Sequence, residues 1–260
     1  MSNKILDTVT EAVRQAALRV VQNTRPTTAA ALMSALQAND RAVADVLRSA
    51  LSAALPGAGW TTDEHASGPM PAGDWWVIDP VGGNLNAVHG MPDWNIGVSL
   101  VRDGRPTLAV VHAPAAGEVF TAVAGGGAFL NGVPVHVSGK TDLTVALTGT
   151  GQAKPNRDAT HAHHVGAAIA AMMENALYVR QSVPVSHQLT QVAAGRMDLH
   201  WQFENLRSHI APILIAQEAG ATVTDLDGKP WQVASDGYLA AAPGLHAAAL
   251  AVLSCAAGER

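Results

Sequence analysis

Residues 76–86 read WVIDPVGGNLN, and the prediction of the fold starts from this stretch. The apolar residues before Asp79 predict a buried strand, and Pro80 should end it because proline cannot donate a hydrogen bond to a neighbouring strand. The two glycines that follow predict a tight turn. We therefore expect the carboxylate of Asp79 to lie at the end of a strand, directly before a turn.

The remaining sequence predicts a layered α/β protein. Apolar residues recur every three to four positions in residues 3–23 and 28–55, which indicates two helices. Short strands with tight turns are predicted from residue 74 to residue 137. Helices and strands then alternate. We place these helices at residues 161–174, 187–194 and 210–219 and after Pro243, and the strands at 176–180, 198–202 and 222–225.

The composition excludes several classes of protein. Hydrophobic residues make up 48% of the 260 residues and charged residues 14%, which is enough for a large core. The net charge of −5 argues against non-specific binding of nucleic acid. Because the chain lacks an apolar run long enough to cross a membrane, we expect no membrane partner. The single cysteine, Cys255, fits a reducing compartment, and we expect a cytoplasmic protein.

Four segments in order resemble one family. Besides WVIDPVGGNLN, they are GEVFTAVAGGGAFLNG at 117–132, VAAGRMD at 192–198 and EAGA at 218–221. They are similar to the motifs W-x-I-D-P-[IL]-D-G-T-x-N, G-x-x-Y-x-A-x-x-G-x-G-A-F-x-N-G, V-A-x-G-x-x-D and E-A-G-G of the inositol monophosphatase superfamily.

The resemblance implies a five-layered αβαβα sandwich. It divides the chain into an N-terminal α+β half, residues 1–140, which carries the metal and anion motif, and a C-terminal α/β half, residues 141–260. The site lies between the halves. The resemblance also implies a homodimer that hydrolyses small phosphate monoesters with Mg²⁺ ions held by carboxylates.

Carried over residue by residue, the first metal position of the family is retained. Asp63 takes the place of its first acidic ligand, with Glu64 beside it. Asp79 is the aspartate that bridges the metals, and the third donor is the backbone carbonyl of Val81. Carboxylate and carbonyl oxygens are hard ligands suited to Mg²⁺.

The second metal position departs from the family. Gly82 stands where the family has an aspartate, and His209 stands where it has the last one. Imidazole suits Zn²⁺ or Mn²⁺ better than Mg²⁺. We therefore expect either no metal or one divalent ion, which would be Mg²⁺, Mn²⁺ or Zn²⁺.

Other positions complete the candidate site. Asn84 replaces the threonine that orients the nucleophilic water, and it could also cap the next helix. Gln202 replaces a glutamate that binds a substrate hydroxyl, and Ser208 adds a hydroxyl beside His209. The predicted catalytic residues are Asp79, His209, Asp63 and Asn84, and the predicted substrate-binding residues are Gly82, Gly83, Asn84, Gln202 and Ser208.

Three functions remain open at this point. The first is an enzyme whose site is rebuilt around an acid–base pair of His209 and Asp79. The second is a phosphomonoesterase with a single or softer metal at Asp63 and Asp79. The third is a non-catalytic protein that binds a small ligand.

Purely structural roles are also open. Asp79 and His209 could serve only the local backbone, and Asp63 and Glu64 could be ordinary loop acids. For the histidines at 161, 163 and 164 we expect a solvated position or one at the edge of the substrate site.

Overall fold

A computed structural model describes residues 2–61, 63–152 and 159–258. Thr62, beside the predicted ligand Asp63, lies outside the described residues. The helices are α1 (Ser2–Ala17), α2 (Ala29–Ala54), α3 (Asn84–Val88), α4 (Ala159–Asn175), α5 (Val185–Ala193), α6 (Ile210–Glu218) and α7 (Pro243–Gly258), with short 3₁₀ turns at Pro114–Ala116, Leu143–Val145 and Arg207–His209.

The strands form two sheets. The seven-stranded sheet follows the chain in the order β1 (Gly59–Trp60), β2 (Asp74–Gly82), β3 (Asn95–Arg102), β4 (Arg105–Ala113), β5 (Glu118–Val123), β6 (Ala128–Leu130) and β7 (Val133–Val135). The five-stranded sheet contains β8 (Leu147–Thr150), β9 (Tyr178–Gln181), β10 (Leu199–Gln202), β11 (Thr222–Thr224) and β12 (Tyr238–Ala241). Its spatial order is β11-β12-β10-β8-β9.

Helices cover both faces of each sheet. On the outside of the seven-stranded sheet, α2 packs on β2 and α1 on β3 and β4, and α2 buries Val43, Leu47 and Leu51 at four-residue spacing. The middle layer is α5 and α6, which contact both sheets. The almost continuous apolar sequence of α6 suits this position because it is buried on all sides. The fifth layer is α4 and α7, so the predicted αβαβα sandwich is confirmed.

The predicted boundary at residues 140 and 141 falls between the two sheets, and the domain division itself stays a prediction. No helix in the described ranges is both long and apolar enough to span a bilayer.

Several predicted bounds were wrong. β2 does not end at Pro80 but continues to Gly82, because the ladder with β3 is irregular between Asp79 and Gly82 and requires no N–H at that point. The first helix ends at Ala17 rather than at residue 23. β1, β6, β8 and β12 were missed. Each has only two to four residues, too few for a pattern of polar and apolar residues to mark it.

A buried carboxylate ties the two sheets together. Asp198, directly before β10, accepts hydrogen bonds from Ser138 Oγ (2.6 Å), Lys140 Nζ (2.7 Å) and the backbone N–H of Leu147 (2.6 Å). Ser138 and Lys140 belong to the connection between β7 and β8, and Leu147 is the first residue of β8. Asp198 therefore fixes where the second sheet begins.

Replacing Asp198 with asparagine should destabilise the protein. The amide keeps the shape of the side chain but loses the charge that three donors face, and we expect about 2–4 kcal/mol of lost unfolding free energy. Urea unfolding followed by circular dichroism measures it, with Asp227→Asn as control because the Asp227 side chain is 78% exposed. A loss no larger than that of the control would contradict this role for Asp198.

Candidate functional site

Asp79 lies inside the protein near the end of β2. The residue is 7% exposed, and β3 places Gly97 opposite it. A side chain at position 97 would contact Asp79, since a Cβ there would lie 3.4 Å from the Asp79 Cβ. Position 97 therefore lies directly beside Asp79 across the ladder.

The space beside Gly82 is filled by three oxygen atoms. A Cβ built on Gly82 would lie 2.7 Å from Asp79 Oδ2, 2.7 Å from Asn95 Oδ1 and 3.2 Å from Ser186 Oγ. Asn95 is fully buried, faces Gly82 across the β2–β3 ladder, and accepts a hydrogen bond from Ser186 Oγ (2.8 Å). Sequence reasoning missed Asn95 and Ser186, because neither belongs to the motif around Asp79.

His209 is held in one orientation at the end of a 3₁₀ turn. Its Nδ1 accepts the backbone N–H of Leu206 (3.2 Å), which favours the neutral tautomer with the hydrogen on Nε2. The edge of the Tyr238 ring meets the imidazole, with centroids 5.6 Å apart. The turn packs against β2, the strand that carries Asp79. His209 is therefore a hydrogen-bond donor at Nε2.

A second histidine supports this arrangement. The β10–β12 register puts Gln202 opposite Tyr238, and alternation along the strand puts His200 on the same face as Gln202. Tyr238 Oη and His200 Nδ1 share a hydrogen bond (3.4 Å), and the two rings stack. Burial, together with the nearby His209, lowers the pKa of His200 to about 3, and burial raises the pKa of Tyr238. Both groups are neutral at physiological pH.

His200 was also missed as a site residue. Its sequence context carries no motif, and the one available signal was its two-residue offset from Gln202 on a predicted strand.

The segment with Asp63 and Glu64 is tied to the same turn. Ser208 N donates to the Glu64 carbonyl (3.0 Å), and Arg207 N to the Ala66 carbonyl (2.9 Å). Asp63 is exposed, and its Oδ1 accepts the backbone N–H of His65 (2.8 Å). The parallel register of β1 and β2 pairs Trp60 with Trp76. Asp63 follows Trp60 by three residues, and Asp79 follows Trp76 by three.

Asn84 is hydrogen-bonded to helix α2, and its predicted catalytic and substrate-binding role stays a prediction. Its Nδ2 donates to the Leu36 carbonyl (2.9 Å) and to Asp40 Oδ1 (2.8 Å), and its Oδ1 accepts from Asn39 Nδ2 (2.9 Å). The expectation that Asn84 caps the next helix is wrong. The N-cap of α3 is Gly83, whose φ of 75° suits glycine, and no side chain caps that helix.

Gln202 is buried near a group of aromatic rings. Its Oε1 accepts the backbone N–H of Gly151 (3.1 Å). The next residue, Phe203, stacks on His164 with centroids 4.1 Å apart and meets His161 edge-on at 6.5 Å. His163 is exposed. Two of the three histidines of this run thus lie against the neighbour of a predicted substrate-binding residue.

The residues do not fit the metal pair that the resemblance implies. In the ranges that the structure describes, no three side chains of His, Cys, Asp or Glu are grouped to hold an ion. Gly82 offers no side-chain donor, Asn95 occupies the adjacent space, and His209 Nδ1 already accepts a backbone N–H. The first position, with Asp63, Asp79 and the Val81 carbonyl, stays a prediction. Two clefts of about 440 and 540 Å³ lie elsewhere on the protein and are not lined by these residues.

Gly82→Ala should test the filled space. The added methyl would press on two oxygens at 2.7 Å, and we expect a loss of about 1–3 kcal/mol in unfolding free energy. Gly139→Ala is the control, because a Cβ at Gly139 meets no atom within 4 Å. Equal stability of the two variants by urea unfolding would contradict the packing described here.

The tautomer of His209 can be observed directly. Long-range ¹H–¹⁵N correlation spectra should show His209 neutral with its hydrogen on Nε2, and His200 neutral from about pH 4 to pH 8 because burial opposes its charge. Tyr238→Phe should leave the His209 correlations unchanged because the edge of the ring remains. Tyr238→Ala, which removes the ring, should change them. A hydrogen on Nδ1 of His209 would refute this assignment.

Comparisons with known proteins agree with the fold. The model of the inositol monophosphatase family matches residues 2–258. The chain is 33% identical over 193 residues to an inositol-1-monophosphatase of Mesorhizobium japonicum, covering 73% of this chain and 71% of that protein. It is 31% identical over 266 residues to a putative Nus factor SuhB of Neisseria meningitidis serogroup B, covering 97% and 98%.

Solved structures give the same result. The inositol monophosphatase from Anabaena superposes with a TM-score of 0.81 at 25% identity, over 97% of this chain and 96% of that one. Mycobacterium tuberculosis SuhB superposes with a TM-score of 0.80 at 25% identity, over 99% and 98%. With both sheets, their helical layers and the matched sequence in agreement, this chain belongs to the inositol monophosphatase family.

Proposed function

We propose that this protein is an enzyme that acts on a small polar, anionic or phosphorylated metabolite, with Asp79 and His209 in place of the second metal site. The observation that carries the proposal is the placement of these two groups. Both are more than nine-tenths buried, and they lie on β2 and on the 3₁₀ turn packed against it. Buried titratable groups of complementary chemistry are typical of active sites.

The fixed tautomer of His209 assigns different tasks to the two residues. Nδ1 is engaged by the Leu206 N–H, so His209 can donate from Nε2 but is poorly placed to act as a base. A neutral imidazole that donates to a developing oxyanion is an established catalytic role. Asp79 is then the base of the pair.

Hydrolysis of a phosphate monoester can be written with these two residues and one water. A water attacks phosphorus while Asp79 accepts its proton, and the ester P–O bond breaks. His209 Nε2–H donates a hydrogen bond to the leaving oxygen, which then takes up the proton held by Asp79. A divalent ion, where Asp63, Asp79 and the Val81 carbonyl hold one, would supply positive charge for the phosphoryl oxygens.

Charge favours one alternative function. A phosphate dianion beside Asp79 meets electrostatic repulsion that the family offsets with metal ions. Arg207, the cation nearest in sequence to His209, donates instead to the carbonyls of Gly68 and Pro69. This observation favours a protein that binds a polar ligand without turnover, and the experiment below separates the two functions.

We also propose a homodimer, as the family resemblance implies. An apolar patch supports it at the exposed edge of the five-stranded sheet, where Met173, Leu177 and Tyr178 are each about two-thirds exposed. Light scattering after gel filtration measures whether the protein is a dimer.

The function is tested by measuring phosphomonoester hydrolysis with EDTA and with added Mg²⁺, Mn²⁺ or Zn²⁺. We expect turnover to persist in EDTA. Asp79→Asn and His209→Ala should lower kcat by about 10²–10⁴-fold, since each removes one proton-transfer or donor group. His163→Ala is the control, because His163 is exposed.

Two results would contradict the proposal. Turnover that EDTA abolishes and Mg²⁺ restores would indicate a phosphatase that runs on its first metal position. Binding of inorganic phosphate or an inositol phosphate by calorimetry, without hydrolysis of any monoester, would indicate a binding protein.

A further inference from the structure

Asn95 is a buried side chain whose amide is only partly hydrogen-bonded within the fold. It lies on β3 with no exposed surface, and its Nδ2 has no hydrogen-bond partner in the part of the chain that the structure describes. A buried amide that makes no hydrogen bond costs free energy, so such groups call for an explanation. The position is also specific, because Asn95 Oδ1 and Asp79 Oδ2 both lie 2.7 Å from the same point beside Gly82.

We infer that Asn95 is a substrate-contacting residue whose amide nitrogen donates to a ligand oxygen beside Asp79, where the family has its second metal ion. The inference rests on the proposed function, because it assumes that a ligand enters the site over Asp79. It assigns a neutral hydrogen-bond donor where a cation would otherwise be held.

Ser186 sets the orientation of the amide. Its hydroxyl, in the first turn of α5, donates to Asn95 Oδ1 at 2.8 Å and is itself buried. With the oxygen engaged by Ser186, the two N–H groups of Asn95 remain for a ligand. The oxygen is correspondingly less available to coordinate an ion.

Gly82, Asn95 and Ser186 form one interdependent set. A Cβ at position 82 would lie 2.7 Å from Asn95 Oδ1 and 3.2 Å from Ser186 Oγ, so a side chain there would displace the amide from its present position. The glycine thus leaves the space that the Asn95 amide occupies.

The chemistry defines the ligand group. An amide N–H pairs with an oxygen acceptor such as a hydroxyl, phosphoryl or carboxylate oxygen. The amide of Asn95 is a neutral donor, and Asp79 beside it is a carboxylate. A ligand oxygen that accepts from Asn95 would complete the hydrogen bonding of the buried amide.

The inference is tested by replacing the amide of Asn95, a hydrogen-bond donor, with a carboxylate, which is a metal ligand. Asn95→Asp places a second carboxylate beside Asp79, and it should create a site for Mn²⁺ that the wild type lacks. We expect the variant to melt lower than wild type in EDTA and its Tm to rise by about 3 °C or more with Mn²⁺. Asn205→Asp is the control. Asn205 is a buried asparagine that donates to the carbonyls of Gln232 and Val233, and Mn²⁺ should not raise the Tm of this variant.

A second variant and a binding measurement complete the test. If Asn95→Asp does not fold, the double variant Gly82→Asp with Asn95→Ala supplies the carboxylate from the other strand and should respond to Mn²⁺ in the same way. Asn95→Leu should weaken binding of inositol 1-phosphate about tenfold by calorimetry, the effect of one lost hydrogen bond.

Equal Mn²⁺ responses of wild type and Asn95→Asp would overturn the inference, as would unchanged ligand affinity in Asn95→Leu. Because neither measurement requires turnover, a failure here is distinguishable from a failure of the proposed enzymatic activity.

Discussion

The arrangement of the site depends on the contact between β2 and β3 at Gly82 and Asn95. The ladder between the two strands is irregular just after Asp79, and this irregularity brings Gly82 opposite Asn95. Because the residue at 82 has no side chain, the amide of Asn95 can lie directly against the strand, beside the Asp79 carboxylate. The other groups of the site are arranged around these three residues.

Two further contacts convert this strand contact into a candidate reaction site. α5 brings Ser186 onto the amide oxygen, and the 3₁₀ turn before α6 brings His209 toward β2. The edge of the Tyr238 ring meets His209, and His200 stacks on Tyr238; burial keeps both Tyr238 and His200 neutral. The proposed site combines one buried carboxylate with neutral donors, whereas the family uses a carboxylate cluster neutralised by metal ions.

The sequence predicted the scaffold better than the site. The motif around Asp79, the hairpin at residues 117–132 and the glutamate segment at 218–221 were enough for the layered fold, because each encodes local geometry. The departures at Gly82 and His209 were also visible. The other groups come together only through strand register and helix packing, over separations of up to about ninety residues, and the sequence therefore did not reveal Asn95, Ser186, His200 and Tyr238. Asn84 shows the converse, since its motif position indicated a catalytic role but its amide bonds to α2.

The central claim is that the second metal position of the family is replaced here by a neutral, hydrogen-bonded group. Crystals soaked in Mn²⁺ and measured near the manganese absorption edge test it most directly. We expect no anomalous peak between Asp79, Gly82 and His209, and the Asn95 amide in contact with Ser186 at that place. A manganese ion within coordination distance of both Asp79 and His209 would contradict it.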